Sequence, residues 1–312
     1  MVLIYYTIMK KTISITGSSS FLGKDVINNL KEKYFLKLSY RNPKKNIFKE
    51  ADIKILKGNL EDKSFVNKFL NKSDFLINIA FDPLNLEKNI KIIDNLIQVS
   101  NKKKNLKKFI HLSTAAVIGK SYYDEIDERS KCFPLNKYQK IKLFIEKKLI
   151  KELSNNIDLV ILRPTEIADY RNMSSTIFNF KNKCIKNFFN SLYKFLLGNR
   201  ILNFVSTENV SNSIIFFIKK KIVFKFRKKN IFLISEDNKK NNFIFFYSFL
   251  NNKKNNKFKK HSELKKKIIK IFFFYILKKP NPFHLYSNKK IKKIGFKFKF
   301  NVKNHLKKIN HV

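Results

Sequence analysis

The stretch from Lys11 to Lys33, KTISITGSSSFLGKDVINNLKEK, decides the fold of this chain. Lys11–Thr16 is a short apolar run that predicts a β-strand, and Lys24–Lys33 has the spacing of an amphipathic helix. Gly17 permits a tight turn between them, and Gly23 allows the helix to pack close to the strand. The first N–H groups of such a helix carry partial positive charge, which suits a pyrophosphate. The alternative interpretation is an ordinary strand-to-helix turn.

The first half of the chain repeats this alternation of apolar runs and helical stretches. Further strands are predicted at 35–40, 53–57, 75–80, 109–113 and 159–162, and helices at 63–70, 86–99 and 136–153. The runs are almost continuously apolar, as in strands that are buried on both faces of a parallel sheet. The pattern therefore predicts an α/β fold with a Rossmann-type, doubly wound parallel sheet.

After Pro164 the pattern loosens. A strand is predicted at 201–205, a helix at 210–218 and a strand at 231–235; residues 170–200 have a helical, aromatic character, and beyond about 240 the helical signal is weak. We expect a dinucleotide-binding Rossmann domain at 9–165 that takes back residues 201–235. Residues 166–200 and 236–312 are expected to form a smaller C-terminal substrate lobe.

Further motifs follow in order along the chain: KGNL at 57–60, DFLINIA at 74–80, FIHLSTAAVIG at 109–119, Tyr138-x-x-x-Lys142, LRP at 162–164, NFVSTENV at 203–210 and the segment 287–305. Together with TGSSSFLG at 16–23, they resemble the extended short-chain dehydrogenase/reductase family, the NAD-dependent epimerase/dehydratase group. The resemblance covers nearly the whole chain.

The resemblance implies a dinucleotide site at Gly17, Ser20, Phe21, Leu22, Gly23, Arg41, Asn59, Leu60, Ala80 and Lys142. Ser20 replaces the family's middle glycine, where the backbone approaches the pyrophosphate and where a serine hydroxyl could donate to it. Asn59 replaces the acid that meets the adenine, although an amide can both donate and accept. Arg41 stands where NAD-binding relatives have a carboxylate. Because a guanidinium suits a 2′-phosphate, NADP is favoured over NAD.

The resemblance also implies catalytic roles for Thr114, Tyr138 and Lys142. Tyr138 and Lys142 are four residues apart on a predicted helix, so their side chains share a face. A nearby ammonium lowers the pKa of a phenol, which helps the phenol to exchange a proton with a substrate hydroxyl. Thr114 would polarise the substrate oxygen, and Ser113 and Glu166 are candidate substrate contacts. Without the flanking motifs, the tyrosine and lysine would indicate only a solvated helix face.

The expected reaction is NAD(P)-dependent reduction or epimerisation at a hydroxyl-bearing carbon, with a nucleotide sugar as the expected substrate by family analogy. Ala115 and Ala116 stand where dehydratases of the family carry an acid pair, which argues against dehydration. The alternative is a non-catalytic relative that binds NADPH as a structural subunit or associates with RNA. The five histidines and two cysteines show no metal-ligand spacing, so no metal site is predicted.

The formal net charge is +44, and the excess of basic residues is marked in the C-terminal part. Lysine, asparagine, isoleucine, phenylalanine and tyrosine all have AT-rich codons, so codon bias is the preferred explanation. A nucleic-acid or anionic-membrane partner at the basic C-terminal part is the alternative. The acidic residues at 124–128 are expected to form a solvated loop.

No segment reaches the roughly 20 apolar residues of a membrane span, and the start lacks the features of a signal peptide. A cytoplasmic location is therefore expected. Residues 1–8 are expected to be an upstream extension before Met9, because the first predicted strand follows Met9 directly. The resemblance also implies a possible homodimer through the helix that carries Tyr138.

Overall fold

The computed structural model describes residues 10–42, 48, 50–168, 198–220, 230–236, 238, 241–243 and 261–301. The strands are β1 Thr12–Thr16, β2 Phe35–Tyr40, β3 Ile53–Lys57, β4 Phe75–Asn78, β5 Lys108–Leu112, β6 Glu125–Ile126, β7 Asp158–Pro164, β8 Glu166–Ala168, β9 Phe204–Ser206, β10 Ile231–Ile234 and β11 Leu285–Tyr286. The helices are α1 Phe21–Leu30, α2 Lys63–Phe69, α3 Lys88–Asn101, α4 Lys137–Glu152, α5 Thr207–Lys219, α6 Glu263–Ile271 and α7 Lys289–Lys293. A 3-10 turn spans Ala115–Ile118, and a π-helical segment, Phe272–Ile276, continues α6.

Seven of the described strands form one parallel sheet in the order β10-β7-β5-β4-β1-β2-β3. Ile15 of β1 aligns with Leu38 of β2 on one side and with Ile77 of β4 on the other. The strand order reverses between β1 and β4, and ligands of open α/β sheets bind outside the carboxyl ends of the strands at such a point. The predicted Rossmann-type fold is confirmed.

The chain divides into two compact units. The first comprises Met1–Leu112, Phe144–Ile161 and Ile214–Asn230; the second comprises Ser113–Leu143, Leu162–Ser213 and Ile231–Val312. The division into a domain at 9–165 with 201–235 and a lobe at 166–200 and 236–312 stays a prediction.

The core of the first unit explains why α1 forms where it does. Leu22, Val26, Ile27 and Leu30 have spacings of four, one and three residues and are all buried, so one apolar side of the helix faces the core. On β1, Ile13 and Ile15 are both fully buried. The strand and the helix are therefore stabilised by packing, at roughly 1.5–3 kcal/mol for each fully buried large aliphatic side chain.

The second unit has its own apolar cluster around the 3-10 turn. Val117 and Ile118 are fully buried there with Ile126 and Leu233, and Tyr286 is buried beside them. Two short parallel pairs, β6 with β11 and β8 with β9, belong to this unit, and of these four strands only β9 was predicted. Strands of two or three residues carry too little periodicity to be detected from sequence.

Several predicted boundaries need correction. Helix α1 begins at Phe21, three residues before the predicted start, because Ser20 caps it. The strand predicted at 201–205 is Phe204–Ser206, and Ile201 makes only an isolated bridge to Asn242. Helix α6 arises where the sequence showed only a weak helical signal. The helical character predicted for 170–200 falls almost wholly outside the described residues.

Candidate functional site

The loop after β1 is closed by its own hydrogen bonds. Gly17 has a φ of 70°, a left-handed conformation that disfavours any residue with a side chain. The Gly17 carbonyl accepts from the Ser20 N–H at 3.1 Å and from the Ser20 hydroxyl at 2.8 Å. Within the loop, the buried Ser18 hydroxyl donates to the Ile15 carbonyl at 2.8 Å. These hydrogen bonds give the loop a defined shape.

Ser20 is the N-cap of α1, which corrects the role predicted for its hydroxyl. Its backbone is extended, with φ −72° and ψ 159°, and its Oγ accepts from the Gly23 N–H at 3.0 Å. The hydroxyl is thus engaged inside the loop instead of donating outward. The N–H groups of Phe21 and Leu22 belong to the first helical turn, where a helix supplies no acceptor of its own. These two donors remain the best placed to meet an anion.

Both glycines of the loop are required by close backbone approach. A Cβ on Gly17 would lie 2.7 Å from the Ala80 nitrogen, and one on Gly23 would lie 2.4 Å from the Gly17 carbonyl oxygen. Thr16 joins the same two strands, because its Oγ1 accepts from the Ile79 and Ala80 N–H groups, each at 3.2 Å. The cradle therefore lies where β1 meets the end of β4, at the switch point of the sheet.

The remaining dinucleotide candidates of the first unit lie at the carboxyl ends of neighbouring strands. Arg41 follows β2, and Asn59 and Leu60 come shortly after β3. Because these strands are parallel, the residues that follow them lie at the same edge of the sheet as Gly17 and Ala80. Leu60 is buried, whereas Asn59 is exposed, and its Oδ1 accepts from the Glu61 N–H at 3.1 Å.

Asp82 is a candidate site residue that the sequence analysis missed. Its Oδ2 lies 3.8 Å from the Arg41 guanidinium, whose side chain is 69% exposed. The pKa of Asp82 is lowered, first by the Asn85 and Leu84 N–H groups and then by the charge of Arg41. The sequence signal that could have identified Asp82 is its position as an acid just after the fourth strand, in the segment Phe81-Asp82-Pro83. A carboxylate beside Arg41 competes with a 2′-phosphate for the guanidinium.

The second unit holds the catalytic candidates, and the structure brings Thr114 and Tyr138 together. Thr114 follows β5 and caps the 3-10 turn, where its Oγ1 accepts from the Ala116 N–H at 3.2 Å. Its side chain also forms a hydrogen bond with Tyr138 on α4. Lys142, one helical turn after Tyr138, is 3% exposed. Thr114 at the 3-10 turn and Tyr138 on α4 are therefore half-buried, and Lys142 on the same helix is buried.

Burial raises the pKa of Tyr138 above its ordinary value of 10.0, and the hydrogen bond from Thr114 opposes that rise. The sequence analysis expected the neighbouring ammonium to lower this pKa, whereas burial is the larger cause and the direction is upward. Removing a phenolate from water is costly, and here this cost outweighs the favourable contacts. Tyr138 is therefore a protonated phenol at neutral pH.

The two candidate substrate contacts have different environments. Ser113 is buried, and its N–H donates to the Leu162 carbonyl at 2.8 Å. Glu166 lies on β8 with an exposed side chain, and its N–H donates to the Asn203 carbonyl at 3.2 Å. Ser113 is adjacent to Thr114 in the chain, whereas no described contact joins Glu166 to Thr114 or Tyr138.

The acidic residues at 124–128 are solvated only in part: Asp124 and Glu125 are exposed, as expected, whereas Asp127 and Glu128 are half-buried. Asp124 accepts from Lys270 at 2.8 Å and from the fully buried Asn281 at 2.7 Å. Glu128 accepts from the Leu233 N–H at 2.8 Å, and burial raises the pKa of its carboxyl. Charge pattern could not reveal this, because the partners lie more than a hundred residues away in sequence.

The described residues contain neither a metal-ligand cluster nor a membrane-spanning helix. No group of three or more histidine, cysteine, aspartate or glutamate side chains in these parts of the chain is arranged to hold a metal ion. No helix within the same ranges is long and apolar enough to cross a membrane.

Comparisons with known proteins bear on this geometry. The model of the NAD dependent epimerase/dehydratase family matches residues 13–221. No curated protein sequence matched the chain.

Among solved structures, the enzyme WbmG of Bordetella bronchiseptica in complex with NAD has a TM-score of 0.66 at 15% identity, over 98% of this chain and 94% of its own. A UDP-N-acetylglucosamine 4-epimerase from Methanobrevibacter ruminantium, in complex with UDP-N-acetylmuramic acid, has a TM-score of 0.67 at 16% identity, over 96% of each chain. A short-chain dehydrogenase/reductase superfamily protein from Agrobacterium tumefaciens with bound NAD has a TM-score of 0.63 at 14% identity, over 96% of this chain and 95% of its own. At these identities the likeness shows the fold.

Proposed function

This chain belongs to the NAD dependent epimerase/dehydratase family, and from that membership we propose that it is an NAD(P)-dependent epimerase or reductase of a nucleotide sugar. The observation that carries the proposal is the hydrogen bond between Thr114 and Tyr138, with Lys142 buried one helical turn further on. Similar solved structures contain NAD, and one is in complex with a UDP-sugar derivative. Those ligands are transferred to this chain only as part of the proposal.

The loop of the first unit fits a dinucleotide pyrophosphate. Gly17 and Gly23 leave a cradle that a Cβ would fill, and the Phe21 and Leu22 N–H groups lie at the N-terminus of α1. Ser20, Asn59, Leu60 and Ala80 are proposed to line the remainder of the site. When bound, the dinucleotide supplies a reversible acceptor for a hydride.

The residues of the second unit are proposed to handle the proton. Tyr138 donates its phenolic proton to a substrate carbonyl oxygen when an alcohol is formed, and it takes the proton back in the reverse direction. Thr114 hydrogen-bonds the same oxygen, and Ser113 and Glu166 position the substrate. Lys142 contacts the cofactor ribose, and its ammonium stabilises the phenolate that remains after proton transfer. Ala115 and Ala116 provide no acid pair for a dehydration.

Arg41 is proposed to set the choice between NADP and NAD. Its guanidinium suits a 2′-phosphate, but Asp82 lies 3.8 Å away and competes for it. We propose NADP as the preferred cofactor and test it by titrating the protein with NADPH and NADH, followed by nucleotide fluorescence. Arg41→Ala should weaken NADPH binding by about tenfold or more, the loss of a charge-assisted contact, and leave NADH binding nearly unchanged.

Arg129→Ala is the matched control, because Arg129 is also exposed and paired with an aspartate, Asp127, at 2.6 Å. It should bind both nucleotides like the wild type. Equal loss of NADPH and NADH binding in Arg41→Ala would contradict the assignment of Arg41 to a 2′-phosphate. Failure of the wild type to bind either nucleotide would overturn the proposed function and favour a non-catalytic relative that associates with RNA.

Turnover of nucleotide sugars is the test of the reaction. A reductase changes the absorbance of the reduced nicotinamide in proportion to product, whereas an epimerase interconverts two epimers without net change. Tyr138→Phe should abolish either activity, because the phenolic proton is lost. Tyr123→Phe removes the hydroxyl of a tyrosine that is 71% exposed on the same unit and should leave the rate unchanged. Full activity in Tyr138→Phe would rule out the proposed role of this residue.

A further inference from the structure

Helix α6 and the π-helical segment after it carry a line of exposed apolar side chains. Leu264, Ile268, Ile271, Phe272, Tyr275 and Ile276, which we call the apolar stripe, are 41–69% exposed. Their spacing of three or four residues, with two adjacent pairs, places them along one side of the helix. Isolated exposed apolar residues need no explanation, but a contiguous set marks an interaction surface.

The opposite side of the helix is held by the second unit. Ile269 is 5% exposed, and the Lys270 ammonium lies 2.8 Å from the Asp124 carboxylate. The ring of Phe274 packs edge-on against Tyr122, with centroids 5.3 Å apart. The Lys120 ammonium lies 4.1 Å from the centre of the Phe274 ring. These contacts fix the rotation of the helix, so the stripe is kept turned outward.

Lysines border the stripe. At about 100° per residue, Lys265 and Lys267 fall on either side of it, and exposed Lys278 and Lys279 follow its end. The one acid of α6, Glu263, is paired with Lys266 at 2.6 Å. Lys267, Lys278 and Lys279 are exposed and Lys265 is half-buried, so the border of the stripe carries positive charge.

We propose that the apolar stripe and its bordering lysines bind in the plane of an anionic lipid surface. A helix with an apolar side and flanking lysines lies at such a surface, because the apolar side chains enter the acyl boundary while the ammonium groups meet the headgroups.

Two other partners for the apolar stripe, a second copy of this chain and a nucleic acid, are less favourable. A second copy of this chain would bring a second set of bordering lysines to the same interface, and like charges across an interface are costly. A nucleic acid would use the lysines, but its phosphates would leave the apolar stripe without a role. An anionic bilayer uses both features, the apolar stripe and the bordering lysines.

The test is sedimentation of the full chain with phosphatidylcholine vesicles, with and without phosphatidylserine. The wild type should sediment only with the anionic vesicles. Ile268→Ser with Tyr275→Ser should weaken binding by at least about tenfold, because buried apolar groups are lost. Lys265→Gln with Lys267→Gln should weaken it by about fivefold for each lysine.

Matched controls distinguish position from composition. Leu84→Ser removes a leucine that is 96% exposed on the first unit, and Lys102→Gln with Lys104→Gln removes two exposed lysines with the same spacing. Both should bind like the wild type. Equal losses in the control lysine variant would mean that net charge alone drives binding, and the proposal would fall.

A tryptophan probe reports insertion directly, because the chain contains no tryptophan. Phe272→Trp should show a blue shift of its emission with anionic vesicles and no shift with phosphatidylcholine alone. Absence of a shift with anionic vesicles would overturn the proposal. So would a dimer in light scattering that the Ile268→Ser, Tyr275→Ser variant dissociates, or vesicle binding that nuclease treatment abolishes.

Discussion

The Ser20 hydroxyl bridges the two glycines of the loop after β1. It donates to the Gly17 carbonyl at 2.8 Å and accepts from the Gly23 N–H at 3.0 Å. A serine at this position therefore completes the loop and caps α1 at the same time. The Gly23 N–H is engaged by that hydroxyl, so one donor that a glycine at position 20 would leave for an anion is already used.

Replacing Ser20 should separate helix capping from anion binding. Ser20→Ala should lower the free energy of unfolding by about 1 kcal/mol, whereas Ser20→Gly should lower it by only a few tenths of a kcal/mol. Ser20→Gly should also tighten dinucleotide binding, because the Gly23 N–H is released. Urea unfolding and NADPH titration measure the two effects, with Ser19→Gly as the control in the same loop. Weaker binding in Ser20→Gly would contradict the argument.

Gly23→Ala should destabilise the first unit. The new Cβ would lie 2.4 Å from the Gly17 carbonyl oxygen and 3.0 Å from the Ser18 Cα, so backbone would have to move. Overpacking of this kind costs about 1–3 kcal/mol, which thermal or urea unfolding can resolve. Asn28→Ala, on the exposed side of the same helix, should be neutral or slightly stabilising. Wild-type stability in Gly23→Ala would show that the loop is not held as described.

Glu128→Gln should change how stability depends on pH. Burial raises the pKa of Glu128 above its ordinary value of 4.5, although the Leu233 N–H opposes the rise. The folded state thus holds the proton more tightly than the unfolded chain. The contribution of Glu128 to the free energy of unfolding is therefore fully present below about pH 4.5, and it is lost as the pH rises through the pKa of the folded state. Urea unfolding at several pH values should show that the free energy of unfolding falls less with rising pH in Glu128→Gln than in the wild type.

Glu125 offers the control of opposite sign. A hydrogen bond from Lys289 lowers the pKa of its carboxyl. Its contribution is therefore present above the ordinary pKa and is lost on acidification through the folded value. Glu125→Gln should reduce the loss of stability on acidification, by a small amount because the pair is exposed and screened by salt. If the free energy of unfolding changed its dependence on pH in the same direction in both variants, the raised pKa inferred for Glu128 would be refuted.

Thr114 should control the titration of Tyr138. The hydrogen bond from Thr114 lowers a pKa that burial raises, so Thr114→Ala should raise the pKa of Tyr138 further, and Thr114→Ser should leave it near the wild-type value. Nuclear magnetic resonance of ring-labelled tyrosine can follow this, with the Tyr138 signal identified by its absence in Tyr138→Phe. An unchanged titration in Thr114→Ala would mean that the bond does not form in solution.

The sequence by itself was sufficient for the sheet and for the loop after β1. Apolar runs and helical spacing are local, and they predicted β2 and β3 at their observed bounds and α4 within one residue at each end. Gly17 and Gly23 were also predictable, because the tight turn and the close helix–strand approach between them are local. Boundaries failed where a cap decided them, as at Ser20, which begins α1 three residues early.

Only the tertiary structure decided the state of the groups that carry charge. The direction of the Tyr138 pKa depends on what surrounds the ring, and the pairing of Arg41 with Asp82 depends on the strands that bring them together. The partners of Asp124 and Glu128, and the outward side of α6, arise from segments distant in the chain. Burial and charge pairing are properties of a packed neighbourhood, and no local pattern encodes them.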